Sequence, residues 1–221
     1  MADAEPPTPT PTPTPTRRPY TGSCHCGAVR YIAHLTLPHV PPSIAALAAA
    51  RQPGQQKGMP QFIYRCNCST CVKMGLLHVR LHNPPADFQL LAPTGPEPLA
   101  QLGDYQCFEK RLHFLFCTAC GVRCFTFAGE GEAVESDVLV PAEGEETKTE
   151  RQEVWSPKRG WVEGRTSYLS VNAYTLDADQ PGLDLREWTD KQWIAYVDCR
   201  SERRAGQSDK RYGTPFEGGA Y

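Results

Sequence analysis

The chain has 221 residues, enough for one domain with appendages or at most two small ones. Its 23 basic and 25 acidic side chains leave a formal charge of −2, so there is no global electrostatic footprint for nucleic acid, and such a partner is not expected. A hydrophobic share of 40% supplies a core, while 21 prolines and 18 glycines with few long amphipathic patterns favour many short strands over helices.

Residues 1–19 alternate Pro and Thr through Pro15 and are expected to form an extended or disordered leader. This leader has no apolar stretch and does not read as a signal peptide. The longest plainly apolar run, Ile44 to Ala50, is too short to span a bilayer. The cytoplasm is therefore the expected location, with the nucleus left open. A single domain is predicted over 20–199, with insertions at about 38–60 and 128–166, and a locally basic, flexible tail over 200–221.

Order is expected from Tyr20. Thr21 to Gly27 reads as a turn, and Ala28 to Ala33 alternates as a strand. In the first insertion Ser43 is a candidate N-cap for a short helix over Ser43–Arg51. Gln61 to Arg65 reads as a strand entering a cysteine cluster, with strands over Leu76–Leu81 and Phe88–Leu91 beyond it. Leu112–Phe116 and Val122–Phe127 flank a second cysteine turn as a hairpin. Ala128 to Arg165, with Glu143-Gly144-Glu145-Glu146 as its extreme, reads as an exposed acidic excursion. Ser167–Leu176 is strand-like, Gly182–Trp188 is a predicted turn, and Trp193–Val197 has the make-up of a last strand.

The chemistry lies in the ten cysteines. With no secretion signal, tight clustering argues for metal or thiol chemistry over a disulfide framework. Cys24-x-Cys26-Gly27 and Cys117-x-x-Cys120-Gly121 each place Gly directly after the last thiol. Gly adopts positive φ cheaply, so the backbone can curl around the sulfur and aim N–H groups at it. Together the two knuckles sum to four thiols, the closed structural arrangement for zinc. Cys66-x-Cys68-x-x-Cys71 offers three thiols and a vacant fourth position, the pattern of a catalytic site. Three thiolates on Zn²⁺ leave a net charge of about −1, a soft Lewis acid suited to presenting a sulfur ligand. Arg65 and Lys73 flank this trio as candidate cations for an anionic substrate, beside the plainer reading as solvated charges. Two alternatives stay open on spacing alone. Cys24 and Cys26 can pair with the trio, and Cys107, Cys124 or Cys199 can close it with a fourth thiol. Otherwise those three read as small buried residues. His25, His78, His82 and His113 are scattered singly and read as surface or core histidines.

The three motifs together resemble the glutathione-dependent formaldehyde-activating enzyme and centromere protein V family. The likeness rests on Gly22-x-Cys24-x-Cys26-Gly27, Cys66-x-Cys68-Ser69-x-Cys71 and Phe116-Cys117-x-x-Cys120-Gly121, with Tyr174-Thr175-Leu176-Asp177 and Trp193 similar to the closing part. It implies a mainly β, Mss4-like zinc-braced sandwich of short antiparallel strands with few short helices. It further implies two zinc ions per chain: a structural one on Cys24, Cys26, Cys117 and Cys120, and a labile, catalytic one on Cys66, Cys68 and Cys71. The family's named activity is condensation of glutathione with formaldehyde, formally a carbon–sulfur lyase. Asn67 departs from the pattern where His is frequent, and Val72 where Arg is common. The resemblance therefore sets an expectation of an enzyme acting on a small thiol such as glutathione. A non-catalytic zinc-stabilised protein- or chromatin-binding module is the alternative.

Overall fold

Alternating apolar residues sort the strands into two facing sheets in the computed structural model, which describes residues 13–50, 59–107, 109–141, 147–158, 161–162, 165–200 and 208–217. Strands β1 (Thr16–Ser23) and β2 (Arg30–Leu37) form a hairpin closed by the Cys24 N–H on the Val29 carbonyl. Helix α1 (Ile44–Ala49) follows, with the Ser43 hydroxyl accepting from the Ala46 N–H at 3.1 Å, as the capping pattern predicts. Strand β3 (Phe62–Cys66) runs into helix α2 (Ser69–Met74), and β4 (His78–Arg80) returns beside β3. Next come α3 (Pro84–Asp87), β5 (Phe88–Ala92), β6 (Gly103–Gln106), β7 (His113–Phe116) and β8 (Arg123–Ala128). A long hairpin of β9 (Gly131–Pro141) and β10 (Thr147–Pro157) precedes the two-residue pair β11 (Trp161–Val162) and β12 (Arg165–Thr166). The chain then forms β13 (Tyr168–Asn172), α4 (Leu185–Asp190), β14 (Ala195–Asp198) and β15 (Asp209–Tyr212).

The first sheet has the order β1-β2-β5-β10-β9, and the second β15-β14-β3-β4-β13-β8-β7-β6. Both are antiparallel except where β14 lies parallel to β3, setting Val197 opposite Cys66. Tyr31, Phe88 and Leu90 from the first sheet share one core with Ile63, Phe125, Leu169 and Val171 from the second. Phe88 and Phe125 meet across the interface with ring centroids 4.9 Å apart. Each such side chain contributes about 1.5–3 kcal/mol on burial. The mainly β expectation holds.

Several stretches differ from the sequence reading. The turn predicted over Gly182–Trp188 gives way to helix α4 from Leu185, with the Asp184 carboxylate as its N-cap accepting from the Arg186 N–H at 2.9 Å. Strand β1 begins at Thr16, inside the expected leader; Pro19 is tolerated because β1 is an edge strand, and Arg17 anchors it by donating to Asp87 at 2.9 Å. The acidic excursion is instead the β9–β10 hairpin, joined to the first sheet where Trp155 faces Leu90. Val138 and Val154 bury themselves against Ile32, which explains why charge-rich strands stay folded. The extreme Glu143-Gly144-Glu145-Glu146 lies outside the described residues. Finally, the expected flexible tail contributes β15, so β14 is not the last strand; the Tyr212 hydroxyl donates to the Pro42 carbonyl at 2.8 Å. Among the described residues no helix is long and apolar enough to cross a membrane.

Candidate metal centres

The four sulfurs of Cys24, Cys26, Cys117 and Cys120 lie within 4.8 Å of one another, so the knuckles do pair with each other. Cys24–Cys26 and Cys26–Cys117 are each 3.6 Å apart. A tetrahedron with Zn–S of 2.3 Å has a sulfur–sulfur edge of about 3.8 Å, so the spacing fits a metal of that size. The two loops use the same backbone device. Gly27 (φ 76°) and Gly121 (φ 75°) are both left-handed, and the following residues, Ala28 and Val122, present their N–H groups to the Cys26 and Cys120 sulfurs. The Val122 N–H, with that of Cys26, pulls the Cys120 thiol down to about 6. Cys24 is buried and accepts from the Val29 N–H at 3.2 Å, while Cys117 is equally buried. Because Cys24 and Cys26 belong to the first sheet's β1–β2 turn and Cys117 and Cys120 to the second sheet's β7–β8 turn, a metal held here would staple the sandwich.

The sulfurs of Cys66, Cys68 and Cys71 also lie within 4.8 Å of one another. Cys66 ends β3, Cys68 is the N-cap of α2, and Cys71 is buried within α2. The Cys68 sulfur accepts from the Cys71 N–H at 3.4 Å, the capping role usually taken by an oxygen. Hydrogen bonds from the Cys66 and Cys71 thiols, together with the Cys71 and Thr70 N–H groups, hold Cys68 far below the ordinary thiol range. One thiolate shared among three sulfurs is the electronic state a soft cation replaces protons in. Each cluster can therefore hold a metal ion.

Strand directions place both centres at one end of the second sheet. β3, β13 and β7 run one way and β4 and β8 the other, so the end of β3 and the β7–β8 turn share an edge. Three strand spacings, roughly 14 Å, separate β3 from β8. Buried Asn172 stitches this edge: its Oδ1 accepts from the Leu77 N–H at 3.2 Å and its Nδ2 donates to the Arg123 carbonyl at 3.1 Å.

The side chains around the trio include Cys199, one of the candidate fourth thiols, and two residues to which the sequence assigned no part in the site, His78 and Asn67. His78 is fully enclosed, with Nε2 3.3 Å from the Cys71 sulfur, Nδ1 2.9 Å from the Ser170 hydroxyl, and its ring stacked on Tyr64 at 4.7 Å. Burial lowers its pKa to about 4, so it is neutral at pH 7. Asn67, buried between two of the cysteines, donates its Nδ2 to Asp198 at 2.8 Å and accepts from the Cys199 N–H at 2.7 Å. Its own N–H donates to the Val197 carbonyl at 3.1 Å. The Cys199 thiol is thereby brought near Cys66, which lowers its pKa. No spacing rule reaches across some 130 positions, and a single His on a strand carries no pattern.

The remaining candidates sort as follows. Cys124 is buried in the main core, and Cys107 touches the Thr70 hydroxyl at 3.5 Å beside α2. Arg65 donates to the Tyr174 hydroxyl and lies over that ring, on the strand face opposite Tyr64 and Cys66. Lys73 is exposed in the last turn of α2, where a cation complements the helix dipole. His25 is exposed beside the tetrad.

No protein-family model matches the chain, and no curated protein matches it. Among solved structures it is similar to a Rhodobacter sphaeroides protein crystallised as a structural-genomics target, at 17% identity over 73% of this chain and 91% of the other, with a TM-score of 0.37. The family resemblance is carried by the three cysteine motifs.

Proposed function

We propose that the protein is a zinc-dependent enzyme of carbon–sulfur lyase type acting on a small thiol adduct, with glutathione and formaldehyde as the substrate pair. What supports this reading is the division between the clusters. Four sulfurs drawn from the two sheets make a complete ligand set, whereas a separate set offers three, Cys66, Cys68 and Cys71, from one strand and the helix after it. Zinc held by Cys66, Cys68 and Cys71 would supply a soft Lewis acid that lowers a substrate thiol's pKa and fixes its sulfur.

The chain's own residues do the rest. His78 holds the Cys71 sulfur in place, and Asn67 keeps the loop between Cys66 and Cys68 bolted to β14. Lys73, exposed on α2, is the cation for a carboxylate of glutathione, while Arg65 turns to Tyr174 on the strand face opposite Cys66. In the synthetic direction the thiol sulfur bonds to the aldehyde carbon, the carbonyl π pair moves to oxygen, and the thiol proton ends there. No oxidant or further reactant is needed.

The test is adduct formation from glutathione and formaldehyde with zinc-loaded protein and with Cys68→Ser. The native protein should exceed the uncatalysed rate and the variant should not. Equal rates for both, matching the buffer alone, would remove the enzymatic reading and favour the non-catalytic module.

A further inference from the structure

We propose that Cys199 is an exchangeable fourth ligand of the trio's metal, the sulfur that an incoming substrate thiol displaces; this rests on the reading of the trio as a metal site for thiols. Cys199 is not an isolated thiol. It follows β14 directly, and because β14 runs parallel to β3 with Val197 opposite Cys66, Cys199 falls level with Cys68. Asn67 fixes that register through its hydrogen bonds to Asp198 and to the Cys199 N–H. This register sets Cys199 beside the loop that carries Cys66 and Cys68. Of the other two spare cysteines, Cys124 lies in the main core, while Cys107 packs against the trio's own apolar cluster with its thiol engaged by the Thr70 hydroxyl at 3.5 Å.

Two features distinguish Cys199 from a permanent ligand. Its sulfur stands outside the set whose members all lie within 4.8 Å of one another, so it reaches a shared ion only by a side-chain rotation. It is also exposed, whereas Cys71 is buried and Cys66 and Cys68 are half-buried, so solvent and small thiols reach it first. Exchange is balanced: the incoming thiol passes its proton to the departing Cys199 sulfur, leaving four sulfurs and the same charge. A tethered competitor raises the thiol concentration needed for occupancy, so the site stays closed to water and opens only to a sulfur that outcompetes Cys199.

Cobalt-loaded full-length protein provides the test, comparing native, Cys199→Ser and Cys68→Ser. The thiolate-to-cobalt charge-transfer band of Cys199→Ser should fall by one sulfur's share and recover on adding glutathione. Its competition-measured zinc affinity at the labile site should fall by on the order of tenfold or more. In the native protein the zinc-loaded Cys199 should resist iodoacetamide until glutathione is added. An unchanged band and affinity in Cys199→Ser would overturn the proposal while leaving the trio's function standing. If Cys68→Ser also left the band unchanged, the metal reading of the trio would fall, and this proposal with it.

Discussion

The two cysteine centres share an edge of one sheet but are built in different ways. In the tetrad, backbone N–H groups turned inward by left-handed Gly27 and Gly121 meet the sulfurs, and the ligands come from both sheets. In the trio, all ligands come from one strand and the helix that follows it, and side chains from elsewhere, His78 and Asn67, complete the surroundings. A centre braced by backbone and spanning two layers can release its metal only by opening the fold. A centre whose ligands all come from one strand and the helix after it can exchange a ligand while the fold stays shut.

The largest expected effect tests that contrast directly. Cys117→Ser should destabilise the protein by at least about 4–5 kcal/mol, the chain-entropy value of a cross-link closing a loop of roughly 90 residues. Cys68→Ser should change the melting temperature little, with a cost near 1 kcal/mol. Thermal melts with and without a chelator report both, and the chelator should strip the trio's metal before the melt moves. Equal losses for the two variants would break the comparison.

The tetrad was readable because its information is local: four thiols in two short motifs, each with the glycine its loop conformation requires. The trio's ligands were readable for the same reason. What surrounds them was not. Helix α2 has six residues, too few to show periodicity, and its cap is Cys68 instead of a hydroxyl or carboxylate. Asn67 looked like a departure from a pattern, yet it bolts the cysteine loop to β14. Strand β15 sits in a stretch of charged and polar residues whose pairing depends on β14 being there to receive it. Likewise the β9–β10 hairpin is charge-rich because one face is open, and Val138, Val154 and Trp155 mark its buried side.

Asn67→Ala comes next, removing two side-chain hydrogen bonds at a cost of about 2 kcal/mol. The fold should survive, with faster alkylation of Cys199 in the metal-loaded protein, read by mass spectrometry. Unaltered Cys199 reactivity would show that the side-chain bracing of this centre is not what positions it.

His78→Leu leaves both Cys71 and the Ser170 hydroxyl without their partner, at about 1–2 kcal/mol. Metal retention at the trio should fall 10–100-fold, the usual effect of losing a hydrogen bond to a ligand. His78→Gln should recover part of it, since the native ring is neutral and its contribution is a hydrogen bond, not a charge. The tetrad's metal should be indifferent to either change. Equilibrium dialysis against a graded chelator resolves the two sites.

The smallest effects are the most specific. Added methyl groups at Gly27, Gly121 and Gly75 would each meet open space, yet all three residues have positive φ, at 76°, 75° and 63°. Alanine at any of them should therefore cost about 1–2 kcal/mol of backbone strain and nothing from packing. The sites differ in what the strain disturbs. Gly75 ends α2, where its own N–H satisfies carbonyls of Cys71 and Val72. Gly27 and Gly121 aim the next N–H at a ligand sulfur, so relaxing their φ also weakens the tetrad's hold on its metal. Melts of the three alanine variants, metal-loaded and metal-stripped, separate the two contributions. The loss at Gly75 should be the same in both states, and the losses at Gly27 and Gly121 should be larger with metal bound. If all three behave alike, the glycines serve the turns only, and the backbone does not brace the tetrad's sulfurs.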